Sequence, residues 1–251
     1  MHETSVRRRQ KEAFGKFRLD RGPLRWWLIV AGIVTVHFNP LRYLIGTVLV
    51  LLGALLHFVS KGYLRQSRSF IRETKSLTNG GPYRFTRNPF YLANLIAEVG
   101  LLAIIGRLEI AAAYLVAWAW VYRGTIMEEE AKLANLVGDE YLRYCHRVPR
   151  LVPLPWKFLS RAEVSGPPFS WSNPNIMGGA ELERALRLLS YPLLLHTAAA
   201  VRGQGTAALL DPTFATFLPF IGFLALNGLG RLFTRLLTRL RINPGPTSAS
   251  H

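Results

Sequence analysis

The sequence predicts an all-α, polytopic integral membrane protein with about six transmembrane helices and both termini in the cytosol. Three observations carry that expectation. First, 50% of the 251 residues are hydrophobic and the mean hydropathy is positive, yet the formal net charge is +16. Soluble domains seldom combine the two, whereas membrane proteins with basic loops do. Second, the apolar residues fall in runs separated by Pro, Gly and Asn turns. Third, six crossings leave only Arg42, Arg107 and Arg202 as basic residues of the outer loops, which is the bias the positive-inside rule requires. The arginines flank apolar runs and do not form one face, which argues against nucleic acid as a partner. Membrane lipids are the expected surroundings.

Residues 1–23 form a basic N-terminal segment that leads to Trp26-Trp27, an aromatic pair suited to the lipid-water boundary. Apolar runs over Leu24–Phe38 and Leu41–Val59 are split by Asn39-Pro40. No small-residue cleavage site precedes that turn, so the pair reads as an uncleaved helical hairpin. Each run is slightly short for about 30 Å of hydrocarbon, and flanking Arg25, Arg42 and Lys61 are expected to snorkel. His37 and His57 lack a ligand partner at useful spacing and read as packed or interfacial, with no metal site. The hairpin unit ends in a basic stretch over 61–79, expected to be an amphipathic interfacial helix, so this unit spans 24–79.

The unit over 80–155 holds the chemistry. Gly80-Gly81-Pro82 breaks any helix and Pro89 suits the first turn of the next, which is expected from Pro89 to Ile105. Asn94 and Glu98 share one face of it, and a carboxylate in an apolar segment is costly unless paired or facing a polar cavity. After the Gly106-Arg107 turn, a long helix from Leu108 is expected to run through Glu128-Glu129-Glu130 to Val137, where Gly138 stops it. Both polar blocks then fall at one end of the hairpin. A loop over 156–181 follows. The last unit, 182–251, holds helices over Leu182–Val201, with a kink at Pro192, and over Pro212–Gly230, the latter passing into Arg231, Arg235, Arg239 and Arg241 as one basic helix face. Cys145 is the lone cysteine, so no intrachain disulfide forms.

Gly81-Pro82-Tyr83-Arg84, then Arg87-Asn88-Pro89-Phe90-Tyr91, then the glutamates with Leu133, Gly138, Glu140-Tyr141, Tyr144 and Arg147-Val148-Pro149 closely resemble the isoprenylcysteine carboxyl methyltransferase family and the related phospholipid N-methyltransferases. The resemblance covers about a third of the chain. It implies a membrane methyltransferase that takes S-adenosylmethionine from the cytosolic face and a lipidic or prenylated substrate from the bilayer. Residue by residue, it implies a cofactor set of Tyr83, Arg87, Asn88, Pro89, Tyr91, Glu129 and Glu130, with Leu133 fixing the register of the glutamate pair. Arg87, Asn88 and Glu98 form the candidate catalytic set. The chemistry suits the transfer: the cofactor carries a carboxylate for Arg87, and ammonium and ribose donors for the glutamates.

Two positions depart from the family pattern. Ala93 stands where glycine is usual, which keeps the position small. Asn88 stands where histidine is usual, and an amide cannot take up a proton near neutral pH. A carboxylate acceptor is already a nucleophile at pH 7, whereas an amine must first lose a proton. The substitution therefore points to carboxyl methylation, with a phospholipid amine as the alternative. The membrane sterol reductases, which use NADPH, end in a similar segment, and a non-catalytic relative is a further class. The Gly-Pro-Tyr-Arg entry fits the methyltransferases better than the reductases.

Overall fold

A computed structural model describes residues 21–64, 77–153, 168–171, 176, 180–210 and 217–242. Most of the basic N-terminal segment, residues 65–76 of the expected interfacial helix, most of the 156–181 loop and the C-terminal tail lie outside the described residues. Among the described residues there is no strand. The helices are α1 (Arg21–Thr35), α2 (Pro40–Tyr63), α3 (Pro89–Ile105), α4 (Leu108–Val137), α5 (Asp139–Arg147), α6 (Ala180–Gln204) and α7 (Phe217–Ile242), with 3₁₀ turns at Gly81–Arg84 and Thr206–Leu210.

Local chemistry accounts for the helix limits. The Asn39 side chain accepts from the Arg42 N–H at 3.0 Å and Pro40 opens α2, which restarts the chain after α1. Pro89 does the same for α3. The long α4 ends at Gly138, and α5 restarts at once with Asp139 and Glu140 in its first turn and His146 and Arg147 in its last, matching the helix dipole. Helix α7 is described from Phe217 and runs on through Arg231 and Arg235, in line with the expected basic helix face. Helix α6 continues through Pro192.

Helix α3 is the centre of the bundle, with Ala97, Leu101, Ile104 and Ile105 almost fully buried. It packs most extensively on α2, along a seam of small residues. Gly46 and Gly53 of α2 face Gly100, Ala97 and Ala93 of α3 at helical spacing. A Cβ on Gly100 would lie 2.5 Å from the Gly46 carbonyl oxygen, and one on Gly53 would lie 2.6 Å from the Ala93 carbonyl oxygen. The two backbones therefore touch, as expected where lipid removes the hydrophobic drive between helices and close packing must supply the contact. The outer face of α2 exposes Leu44, Ile45, Val48, Leu51, Leu52 and Leu55, a surface suited to lipid.

Among the described residues, three helices are long and apolar enough to cross a membrane: Pro40–Tyr63, Leu108–Val137 and Leu218–Leu237 within α7. Pro23–Thr35 and Pro89–Ile105 are apolar but shorter. Of the six crossings expected, these three meet the length and composition requirement. Helix α6 is outside that set and carries Glu181, Glu183, Arg184 and Arg187 in its first two turns. The ends of the helices sort into two groups. The starts of α1, α3 and α6 lie with the ends of α2, α4 and α7, as the Arg25–Glu98, His57–Glu181, Asn88–Glu130 and Gly230–Glu183 contacts show. At the opposite end, Arg42 Nη1 donates to the Gly106 carbonyl at 3.1 Å and so covers the C-terminus of α3.

Gly100→Leu should lower stability by about 1–3 kcal/mol or more, since the added side chain meets backbone that cannot yield. Gly124 has open space around it, and Gly124→Ala should be neutral or slightly stabilising. Thermal unfolding of the two detergent-solubilised variants checks this, and equal midpoints would contradict the seam.

Candidate functional site

The site is built where the chain enters α3. Gly81 has a φ of 53°, and the Tyr63 ring occupies the space where a Cβ would stand, so both the turn and the packing require glycine there. The turn carries the buried Tyr83 into the protein and delivers Thr86, Arg87 and Asn88 alongside the segment that follows α5. There the Arg87 N–H donates to the Pro149 carbonyl at 3.0 Å, and the Thr86 hydroxyl accepts from the Asn88 N–H at 3.2 Å. The Tyr144 hydroxyl donates to the Tyr83 carbonyl at 2.7 Å. Tyr141 and Tyr144 are buried with Leu77 and Val148 in a small apolar cluster beneath these contacts. They support the site and do not line it.

Glu130 of α4 closes this arrangement. Its Oε1 accepts from Asn88 Nδ2 at 3.1 Å and lies 3.4 Å from Arg87 Nη1, while its Oε2 accepts from Arg150 Nε at 3.0 Å. The second hydrogen on Asn88 Nδ2 goes to the Arg150 carbonyl at 2.9 Å. Two acceptors facing one end of the amide identify that end as nitrogen. Asn88 is thus a pure donor here, and a neutral histidine, with one N–H, could not make both bonds. Glu130 is 8% exposed and its lone pairs are committed to these donors.

Glu129 differs from its neighbour. It is exposed, and it accepts one hydrogen bond from the Tyr91 hydroxyl at 2.7 Å. The Tyr91 ring meets Tyr122 edge-on with centroids 5.5 Å apart, and Tyr122 stacks on Trp118 at 4.3 Å, so an aromatic wall runs inward from Glu129. Arg87 Nε and the Tyr83 hydroxyl are buried without a hydrogen-bond partner. Burial, then Tyr144 and Glu129, push the Tyr83 phenol well above its ordinary range, so it stays a protonated donor. Two orphaned donors therefore belong to the same cluster as an exposed carboxylate that has accepted a single hydrogen bond. Glu128 is exposed and pairs with Lys132 at 3.1 Å, one turn on along α4.

The predicted residues Tyr83, Arg87, Asn88, Pro89, Tyr91, Glu129 and Glu130 come together. Glu98 does not join them: it lies ten residues beyond Asn88 on α3, about 15 Å along the helix. It is 1% exposed and held by Arg25, whose Nη2 and Nε lie 2.6 and 2.9 Å from Oε1. Arg25 is thus an internal ion-pair partner and does not snorkel as expected. Asn94 Oδ1 accepts from Arg25 and from Arg184 of α6, Arg184 lies 3.5 Å from Glu181, and Glu181 meets His57 at 2.5 Å. A continuous polar chain therefore links α1, α3, α6 and α2. Sequence reasoning missed Arg150, Arg184, Glu181 and Thr86 as partners. For Arg150 a signal existed, because it ends the Arg147-Val148-Pro149-Arg150 block. Among the described residues, no group of three or more His, Cys, Asp or Glu side chains is placed to hold a metal ion.

The block that enters α3 is thus tied to Glu130 of α4 through Arg87 and Asn88, and to Glu129 through Tyr91. Residues 41–140 match the phospholipid methyltransferase family. That family consists of integral membrane methyltransferases, and the match runs from α2 into α5 of the apolar helical bundle. Two curated relatives are similar over 82 residues. One is the cobalt-zinc-cadmium resistance protein CzcN of Cupriavidus metallidurans, 33% identical over 33% of this chain. The other is the nickel-cobalt-cadmium resistance protein NccN of Alcaligenes xylosoxydans xylosoxydans, 32% identical over the same share. The match spans 38% of the length of each of these relatives. No solved structure matches.

The geometry separates the roles of the two glutamates. Glu130→Ala should cost about 3 kcal/mol, because it leaves buried donors from Arg87 and Asn88 without an acceptor. Glu129→Gln should leave the unfolding midpoint unchanged. Thermal unfolding of both variants checks this, and equal losses would contradict it.

Proposed function

We propose that the protein is an S-adenosylmethionine-dependent methyltransferase that acts on a lipidic or prenylated acceptor, with its cofactor site on the cytosolic face. The observation that carries this reading is the occurrence of the orphaned Arg87 Nε and Tyr83 hydroxyl in one cluster with the exposed Glu129 carboxylate, which accepts one hydrogen bond from Tyr91, inside the family-matched segment. These residues fit the cofactor. The Arg87 guanidinium and the Tyr83 hydroxyl would receive its carboxylate, Glu129 would accept from its ammonium or ribose hydroxyls, and the Tyr91 and Tyr122 rings offer faces to its base or sulfonium. Glu130 does not fit as a direct ligand, because Asn88, Arg87 and Arg150 already occupy it, and it acts by holding Arg87 and Asn88 in place.

When bound, S-adenosylmethionine supplies an electrophilic methyl group on a sulfonium centre. The residues of the chain bind, orient and exclude water. Asn88 spends both amide hydrogens on Glu130 and the Arg150 carbonyl, so position 88 offers no base. A carboxylate acceptor, as in isoprenylcysteine-type methylation, needs positioning and desolvation but no deprotonation, and it suits this site. The family match favours a second reading, a phospholipid amine, in which exposed Glu129 is the available proton acceptor.

Calorimetry on the purified protein with S-adenosylmethionine, S-adenosylhomocysteine and NADPH tests the proposal. The first two should bind and NADPH should not. Glu129→Gln should weaken S-adenosylhomocysteine binding about tenfold, the worth of one charge-assisted hydrogen bond. Absence of binding by both sulfur compounds would overturn the reading.

A further inference from the structure

Three buried polar atoms deeper in the bundle have no use in the site just described. Glu98 Oε2 has no hydrogen-bond partner, although Oε1 of the same carboxylate is held by Arg25. The Tyr114 hydroxyl stands beside Glu98, close enough to hydrogen-bond to the carboxylate but in a geometry too poor to satisfy either group. Trp118 Nε1, one turn further along the same face of α4, is also buried and unpartnered. Leaving such groups unsatisfied in an apolar interior is costly, so three of them facing the α3–α4 interface mark a place built for a polar group.

We propose that Glu98, Tyr114 and Trp118 form a second polar subsite that receives a neutral, hydrogen-bond-donating group of the lipid acceptor, a hydroxyl or a secondary amide. Calling that ligand the acceptor rests on the methyl-transfer reading above. The subsite itself rests on the orphaned atoms. Glu98 lies seven residues beyond Tyr91, about 10 Å further along α3, so the group it holds is not the reacting one. It is a positioning contact that would set how far an acceptor enters and which headgroups are admitted.

The charges around the subsite define the ligand class. Oε2 only accepts, so it wants a donor and repels a carboxylate. Arg25 and Arg184 both point at Asn94 Oδ1, one turn before Glu98, and Glu98 and Glu181 balance them. An added ammonium would meet two guanidinium groups with no spare anion. A neutral hydroxyl or amide satisfies both sides: it donates to Glu98 Oε2 and accepts from Tyr114 or Trp118. The aromatic wall of Trp118, Tyr122 and Tyr91 connects this depth with Glu129.

The test uses single-headgroup probes on the purified full chain in detergent: tritiated octadecanol, octadecanoic acid and octadecylamine at pH 7. Octadecanol should bind saturably and about tenfold more tightly than the other two, the worth of one net buried hydrogen bond. Tyr114→Phe breaks no ion pair, and it should weaken octadecanol binding about fivefold. Glu98→Gln presents an amide donor and should bring the acid to within about threefold of the alcohol. Equal binding of the three probes, no saturable binding of the alcohol, or a preference that both variants retain would overturn the subsite. S-adenosylhomocysteine calorimetry on the same samples keeps the two proposals apart. Alcohol binding without nucleoside binding would refute only the methyl-transfer reading, and the reverse would refute only the subsite.

Discussion

A buried carboxylate on α4 governs how this protein is put together. Glu130 emerges from an apolar helix and would be costly to bury alone. It is offset by donors from both sides of α3: Arg87 and Asn88 at the helix start, and Arg150 after α5. The entry to α3, the end of α4 and the segment after α5 are thereby fixed against one another. Tyr83, Tyr91 and Glu129 take their positions from that tie, and they are the groups with capacity left for a ligand.

The same constraint repeats deeper in the bundle. Where water is excluded, each polar group must find a partner within the protein. Arg25, Asn94, Glu98, Arg184, Glu181 and His57 answer that by forming one chain across four helices. Close backbone contact between α2 and α3 through Gly46, Gly53 and Gly100 makes the chain geometrically feasible, since it brings both helices within reach of α6 and α1. The sites where satisfaction is incomplete, at Arg87 Nε, the Tyr83 hydroxyl and Glu98 Oε2, are the places with capacity to recognise something else.

Much of this was legible in the sequence where the signal is local. Pro89 at a helix start and glycines at 106 and 138 mark the limits of α3 and α4, and the expected ranges match those observed. The meeting of Asn88 with Glu130 followed from a hairpin whose two ends share one face. What was not legible is which partner each charge takes. Arg25 and Glu98 are 73 positions apart, and nothing local singles out that arginine among 31 Lys and Arg residues. Glu130 and Glu129 look equivalent in a run of three glutamates, yet adjacent helix positions point about 100° apart, which buries one and exposes the other.

The most direct test of the central claim, that the Glu130 tie shapes the ligand site, is a double-mutant cycle read in S-adenosylhomocysteine affinity. Asn88→Ala, Glu130→Ala and the double variant are compared with the parent by calorimetry. Each single change should weaken binding, and the double should be little worse than the poorer single, a coupling of at least about 1 kcal/mol. Losses that simply add would contradict it, because they would mean that the two residues act on the site independently.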